Sequence, residues 1–155
     1  MACFSRLRAV STSDLAVFFA QQQEPEAIRM AAFPARDYAA FMAHWTKILA
    51  DPTCITQTIL ADEQVAGNIG SWQQDGQQEV GYWLGQAYWG QGIATCALAA
   101  LLEQVPVRPL YAHVAKHNIG SQRVLQKCGF TVCGPDRNAA EASSDGVEEV
   151  ILIHT

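Results

Sequence analysis

The chain has 155 residues, half of them hydrophobic and 16% charged, with 10 lysines and arginines against 15 aspartates and glutamates, a formal net charge of −5 at pH 7. A chain of this length buries roughly two thirds of its unfolded surface without a disulfide or metal staple, so a single domain over residues 1–155 is expected. Apolar residues throughout exclude disorder, and a pI near 5.2 with no Lys/Arg cluster excludes nucleic acid and anionic membrane as expected partners.

In chain order, residues 4–10 alternate like a strand, and Ser11 with Asp14 offers a capping box for a short helix over 15–22. Residues 23–34 show no clear period. Tyr38, Phe41, Met42, Trp45, Ile48 and Leu49 recur at three- and four-residue steps, which predicts a core-facing helix ending near Pro52. Three strands follow as a meander, at 54–60, 65–72 and 79–84, with turns at 61–64 and 74–76. An alanine-rich helix is expected over 90–104 and a short strand over 110–114. A helix over 118–128 starts at Asn118 and stops at Gly129, and Phe130 opens another strand. A polar loop over 135–146 precedes a last strand over 147–153. The expected class is α+β, a mixed central sheet of about six to seven strands flanked by about four helices.

Cysteines 3, 54, 96, 128 and 133 are odd in number and lack CxxC spacing, so they are read as reduced thiols of a cytoplasmic protein, Cys96 as core packing. The histidines at 44, 113, 117 and 154 show no paired ligand spacing, so no metal is expected. The first ten residues are too short and too charged for a signal peptide, and no apolar run approaches a membrane span.

The most informative stretch is Glu-Val-Gly-Tyr-Trp-Leu-Gly-Gln-Ala-Tyr-Trp-Gly-Gln-Gly-Ile-Ala-Thr at 79–95, a strand running through a glycine turn into a helix. Gly90 and Gly92 let the backbone approach a ligand, and the positive end of the helix dipole falls at the same place, an arrangement suited to phosphate. Glycine at a strand-to-helix turn is weak evidence alone. The Gly-Lys-Ser/Thr of one common phosphate loop is missing, and the third glycine of the dinucleotide fingerprint would fall at Thr95.

Together with Asn118-x-x-Ser121-x-x-Val-Leu-x-Lys-x-Gly129-Phe130 downstream, this stretch resembles the GNAT superfamily of acyl-CoA-dependent N-acyltransferases, in particular its RimJ/RimL-type branch. The motifs cover about residues 79–131, and the strand and helix order upstream suits the same fold. The resemblance implies that the backbone of Trp89, Gly90, Gln91, Gly92, Ile93, Ala94 and Thr95 holds the pyrophosphate of acetyl-CoA. It further implies that the main chain of Trp83, Leu84 and Gly85 pairs with the pantetheine arm, that Asn118 and Ser121 line that arm near the thioester, and that residues 15–50 set acceptor specificity.

Two departures accompany it. Trp89 stands where the superfamily has Gln or Arg, though tryptophan is common in the RimJ/RimL branch, which leaves the backbone cradle intact and removes one side-chain contact; Leu125 stands where many members carry a tyrosine that protonates the departing thiolate. A thiol of pKa about 8.5 leaves tolerably as thiolate, so water or Ser121 can serve. Transfer to an amine needs a base, for which Glu79 is the candidate; the competing reading makes it a solvent-exposed charge at a strand end. For His113 a structural hydrogen-bonded role is favoured over a place in the acceptor cleft, and for His117 a turn cap.

The implied activity is transfer of an acetyl group from acetyl-CoA to a primary amine, a protein N-terminus or a small molecule, by direct attack. The rival is a catalytically silent acyl-CoA-binding module. A homodimer through the 150–153 run is a further expectation, as is long-range attraction of cationic amines by the surplus acidity.

Overall fold

The computed structural model describes residues 5–31, 35–135 and 148–155. The expected loop at 135–146 lies, but for Pro135, outside them, as does Cys3. The elements run β1 (Ser5–Ala9), α1 (Asp14–Gln22), α2 (Pro25–Ala31), α3 (Tyr38–Ala50), β2 (Ile55–Ala61), β3 (Gln64–Gln74), β4 (Gln77–Leu84), a 3-10 turn (Gln86–Tyr88), α4 (Ile93–Gln104), β5 (Leu110–Ala115), α5 (Ile119–Lys127), β6 (Thr131–Pro135) and β7 (Glu149–His154). They form one seven-stranded sheet in the order β1-β2-β3-β4-β5-β7-β6. Every neighbouring pair is antiparallel except β4 and β5.

The hairpin turns follow from residues that accept positive φ: Asp62 and Glu63 join β2 to β3, and Asp75-Gly76 joins β3 to β4. α2 was not anticipated. Its seven residues bury only Ala27, too little to create a visible apolar period, although Pro25 occupies the first helical position where its fixed φ is favourable. In α3 only Phe41 and Trp45 are buried, while Tyr38 and Leu49 at the ends of the expected stripe are exposed.

Two apolar clusters cover the two faces of the sheet. The larger unites Ile69 of β3, Val80 of β4, Leu98 and Leu101 of α4, Leu110 of β5, Leu125 of α5 and Leu152 of β7. The smaller gathers Leu15, Phe18, Phe41 and Trp45 from α1 and α3. Side chains alternate along β4, so Val80, Tyr82 and Leu84 turn toward α4 and α5 while Glu79, Gly81 and Trp83 turn toward α1. The Trp83 indole accordingly donates to the main-chain carbonyl of Gln21 at 3.2 Å.

One sequence reading is corrected. Cys96 is disulfide-bonded, whereas Cys54, Cys128 and Cys133 carry free thiols. A bridge depends on how closely two positions approach in space, which cysteine count and spacing do not show. β7, which carries the 150–153 run, is paired on one side with β5 and on the other with β6.

Asp14 anchors the start of α1 to the sheet. It is only 2% exposed. Its carboxylate accepts two bonds from the Arg8 guanidinium, at 2.6 and 2.9 Å, one from Thr58 Oγ1 at 2.7 Å and one from the Ser11 N–H at 2.8 Å. The last of these is the acid's half of the expected capping box. The Arg8 bonds hold the Asp14 pKa down at about 2, from 3.8. Because this pKa is depressed in the fold, the stabilisation is present above pH about 4 and is lost as pH falls toward 2. Asp14→Ala removes the acceptor of buried Thr58 and of the Ser11 N–H and leaves the third-exposed Arg8 to water, so a loss of about 2–3 kcal/mol is expected. Thermal melts at pH 7 should show Tm lowered by roughly 10 °C, and the wild-type decline between pH 4 and 2 should flatten in the variant. A Tm within 2 °C of wild type would contradict this role.

Candidate active site

The site lies where the sheet opens. β4 and β5 pair only at Gln78 with Leu110 and Glu79 with Tyr111, after which no further register pair joins them. The β4 end is meanwhile held to β3 and α1: the Gly85 N–H donates to Ala66 O at 2.8 Å, and the buried Gln21 amide donates to the same carbonyl at 3.1 Å. The result is a wedge between two parallel strands, closed on one side by α4 and α5.

A cavity of about 390 Å³ occupies the mouth of the wedge. It is lined by Trp83 and Leu84 of β4, by Trp89, Gly90, Gly92, Ile93, Ala94 and Thr95 of the glycine turn and α4, and by Asn118 and Ser121 at the start of α5. A smaller cavity of about 130 Å³ lies deeper between β4 and β5, reached by Val80, Tyr82, His113 and Leu125. Ala31, Tyr82, Asn118 and Ser121 border both. Ten of the sequence-predicted residues are thus gathered at one cavity wall.

The glycine turn has the geometry of an anion cradle. Gly90 and Gly92 take φ of 74° and 78°, and a Cβ at either would meet no protein atom within 4 Å. The first hydrogen bond of the α4 ladder runs from Cys96 N to Gly92 O. Among the described residues, no protein acceptor is found for the N–H groups of residues 90–95, which are left at the positive end of a twelve-residue helix. These donors fit a pyrophosphate.

Three sequence-predicted residues are placed differently. Gly85 does not line the cavity; its N–H is turned to β3. The Gln91 side chain folds back to donate to Ala87 O at 3.0 Å, so only its backbone belongs to the turn. Glu79 borders neither cavity, yet it is 7% exposed, which removes the reading of it as a solvent-exposed charge. Its Oε1 lies 3.6 Å from His113 Nε2, and His113 Nδ1 lies 4.0 Å from Glu149 Oε2 on β7. His113 therefore links a buried carboxylate to the inner cavity.

Other features escaped the sequence reading. Arg123 and Lys127, one helical turn apart on α5, both line the larger cavity and bring positive charge that the net count concealed. Their i,i+4 spacing downstream of Asn118 was the available signal. Trp89, expected only to lack a side-chain contact, donates its indole N–H to Leu84 O at 2.9 Å and so braces the β4 end against the turn. His117 reaches across to Arg29 O at 2.7 Å, tying the turn between β5 and α5 to α2 rather than capping that turn. Asn118 does cap α5, its Oδ1 accepting the Ser121 N–H at 3.2 Å.

Residues 6–131 match the family model of the acetyltransferase (GNAT) domain. The chain belongs to the GNAT acetyltransferase family. It is an acetyl-CoA-dependent N-acetyltransferase by family. Solved GNAT structures superpose over nearly the whole chain. RimL, a ribosomal L7/L12 alpha-N-protein acetyltransferase, gives a TM-score of 0.80 at 19% identity, covering 99% of this chain and 91% of its own. A GNAT-family acetyltransferase from Bacillus anthracis gives 0.82 at 14% identity, covering 99% and 95%. The spermidine N-acetyltransferase from Vibrio cholerae, in complex with CoA and spermine, gives 0.79 at 14%, covering 97% and 94%. At such identities the likeness is one of fold. No curated protein matches the chain in sequence. Among the described residues no group of His, Cys, Asp or Glu could hold a metal ion, and no helix is long and apolar enough to cross a membrane.

Proposed function

We propose that this GNAT domain acetylates a primary amine by direct attack on the acetyl-CoA thioester, with Glu79 as general base and Ser121 beside the departing sulfur. The observation that carries the reading is that the two cavities adjoin, Tyr82, Asn118 and Ser121 bordering both. The outer cavity brings unpartnered amides, Arg123 and Lys127 to the anionic end of the donor. The inner one reaches His113, and through it Glu79.

The residues divide the work by face. Amides 90–95 and the α5 cations hold the phosphates, and the β4 end offers the arm the main chain of Leu84, that of Trp83 being turned to Asn68 of β3. Glu79, on the opposite face of β4 from Tyr82, takes the proton of the incoming ammonium directly or through a water, so that a neutral nitrogen attacks. Once carbon–nitrogen bonding is complete, the C–S bond breaks next to Ser121. Glu79 and Glu149 around His113 make this side acidic, which favours a cationic acceptor. The known acceptors of its structural relatives include a protein alpha-amine and a polyamine, consistent with either size of substrate.

Thiol release from acetyl-CoA over a panel of peptide N-termini, polyamines, amino acids and amino sugars tests this. Turnover that requires one class of amine, with KM for a cationic amine rising with salt, is the expected result. Tight binding of coenzyme A with no turnover on any amine would overturn the enzyme reading in favour of a silent acyl-CoA-binding module.

A further inference from the structure

We propose that Tyr82 is a positioning residue for the thiolate-leaving step, fixing the Ser121 hydroxyl so that its hydrogen is offered to the departing sulfur. The proposal rests on the acetyl-transfer reading above and adds to it a residue that stands in for the tyrosine absent at position 125. Tyr82 comes from β4 and Ser121 from the first turn of α5, 39 residues apart, and the phenol donates to Ser121 Oγ at 3.1 Å. Both side chains border both cavities, at the junction where the arm of the donor would meet the acceptor. Leu125, 3% exposed, walls the same inner cavity and contributes no polar group.

The direction of the hydrogen bond sets the chemistry. A phenol is a far stronger acid than an alkyl hydroxyl and is the better donor of the two. With Tyr82 donating, the hydrogen of Ser121 must point away from Tyr82, and no acceptor for it is found among the described residues. Ser121 is held from behind as well, since its N–H donates to the Asn118 cap. Burial pushes the Tyr82 phenol above its ordinary pKa, partly offset by the Ser121 bond, so it stays protonated through the working range. A donor that is itself accepting a hydrogen bond is polarised by it, which strengthens what Ser121 can offer to a developing charge.

No proton needs to leave either oxygen. As the C–S bond breaks, its electron pair passes to sulfur. The thiolate, from a thiol of pKa about 8.5, is a weaker base than a phenolate of pKa about 10, so the Tyr82 and Ser121 protons remain on their oxygens as hydrogen bonds. The nitrogen gives up two protons in all: the first passes through Glu79 to solvent before attack, and the second, lost to solvent as the amide forms, balances the proton that the thiolate takes from water.

The test uses coenzyme A itself as probe, titrating the thiol of the bound molecule by its thiolate ultraviolet absorbance in wild type, Tyr82→Phe, Ser121→Ala and the double variant. In wild type the bound thiol should titrate below free coenzyme A. In Tyr82→Phe and Ser121→Ala it should move up by about one unit, the size of one charge-assisted hydrogen bond. Tyr82→Phe should also lower kcat about tenfold with KM for acetyl-CoA within twofold, and it should add nothing in the Ser121→Ala background. A bound thiol unmoved by Tyr82→Phe, or an effect that adds fully to Ser121→Ala, would overturn the positioning role. If no amine is acetylated by wild type, the functional reading fails separately, and the thiol titration still decides the role of Tyr82.

Discussion

Gly92→Val is expected to raise KM for acetyl-CoA by at least about a hundredfold while the chain stays folded, a loss of about 2.7 kcal/mol in donor binding. Gly92 caps α4 with φ of 78° and lines the outer cavity, and a Cβ there touches no protein atom. The new side chain therefore enters ligand space instead of clashing with the core. A β-branched residue at this φ also costs about 1–3 kcal/mol of strain, relieved by rotating the turn and misdirecting its amides. The two effects act on the same donor. Gly76 supplies the control. It has nearly the same φ, 77°, and equally open surroundings, but it sits in the β3–β4 hairpin. Gly76→Val should lose comparable stability and leave KM unchanged. Equal KM in the two variants would contradict the cradle.

Glu79→Gln is expected to lower the acetylation rate about 10²–10⁴-fold at pH 7, the range for a positioned general base. Glutamine keeps the shape of a side chain buried beside His113, so Tm should change by only a few degrees and KM for acetyl-CoA should hold. The pH profile separates a lost base from lost packing. A lysine-like amine has a pKa of about 10.4, so fewer than about one molecule in a thousand is neutral at pH 7. Without a base, the variant depends on that fraction, and its log rate should climb with unit slope until the acceptor's own pKa. A break near 8 would mark an alpha-amine and one near 10 an alkyl amine. A variant rate within threefold of wild type at pH 7 would remove Glu79 from the mechanism.

Much of this was legible in the sequence where local rules govern. The hairpins at 62–63 and 75–76, the Asn118 cap and the turn at 90–92 depend on residue types whose backbone or side-chain preferences are local, and they fell where expected. The family resemblance rested on residues 79–131, and the family model spans 6–131. What stayed hidden depended on distant approach. Glu79 read equally as an exposed strand end because its burial comes from its neighbours in the sheet, Trp72 of β3 and Tyr111 of β5, and from His113. The role of Tyr82 is hidden for the same reason: alternation places it on the apolar face of β4, while its hydroxyl partner lies on another element. Arg123 and Lys127 vanish into a net charge of −5, since charge counts carry no position. The bonded state of Cys96 and the interior place of β7 are likewise tertiary facts. Trp89 looked like the loss of a ligand contact, and only its bond to Leu84 shows the brace that replaces it.

An acidic chain can hold an anionic donor if its charges are placed locally. Gly90, Gly92 and the start of α4 line one cavity together with Arg123 and Lys127, while the carboxylates of Glu79 and Glu149 flank His113. The most direct test of this division is a crystal structure with coenzyme A bound. The account predicts pyrophosphate oxygens within about 3.2 Å of the amide nitrogens of residues 90–95 and the thiol next to Ser121. Phosphates seated elsewhere, with that turn unengaged, would contradict it.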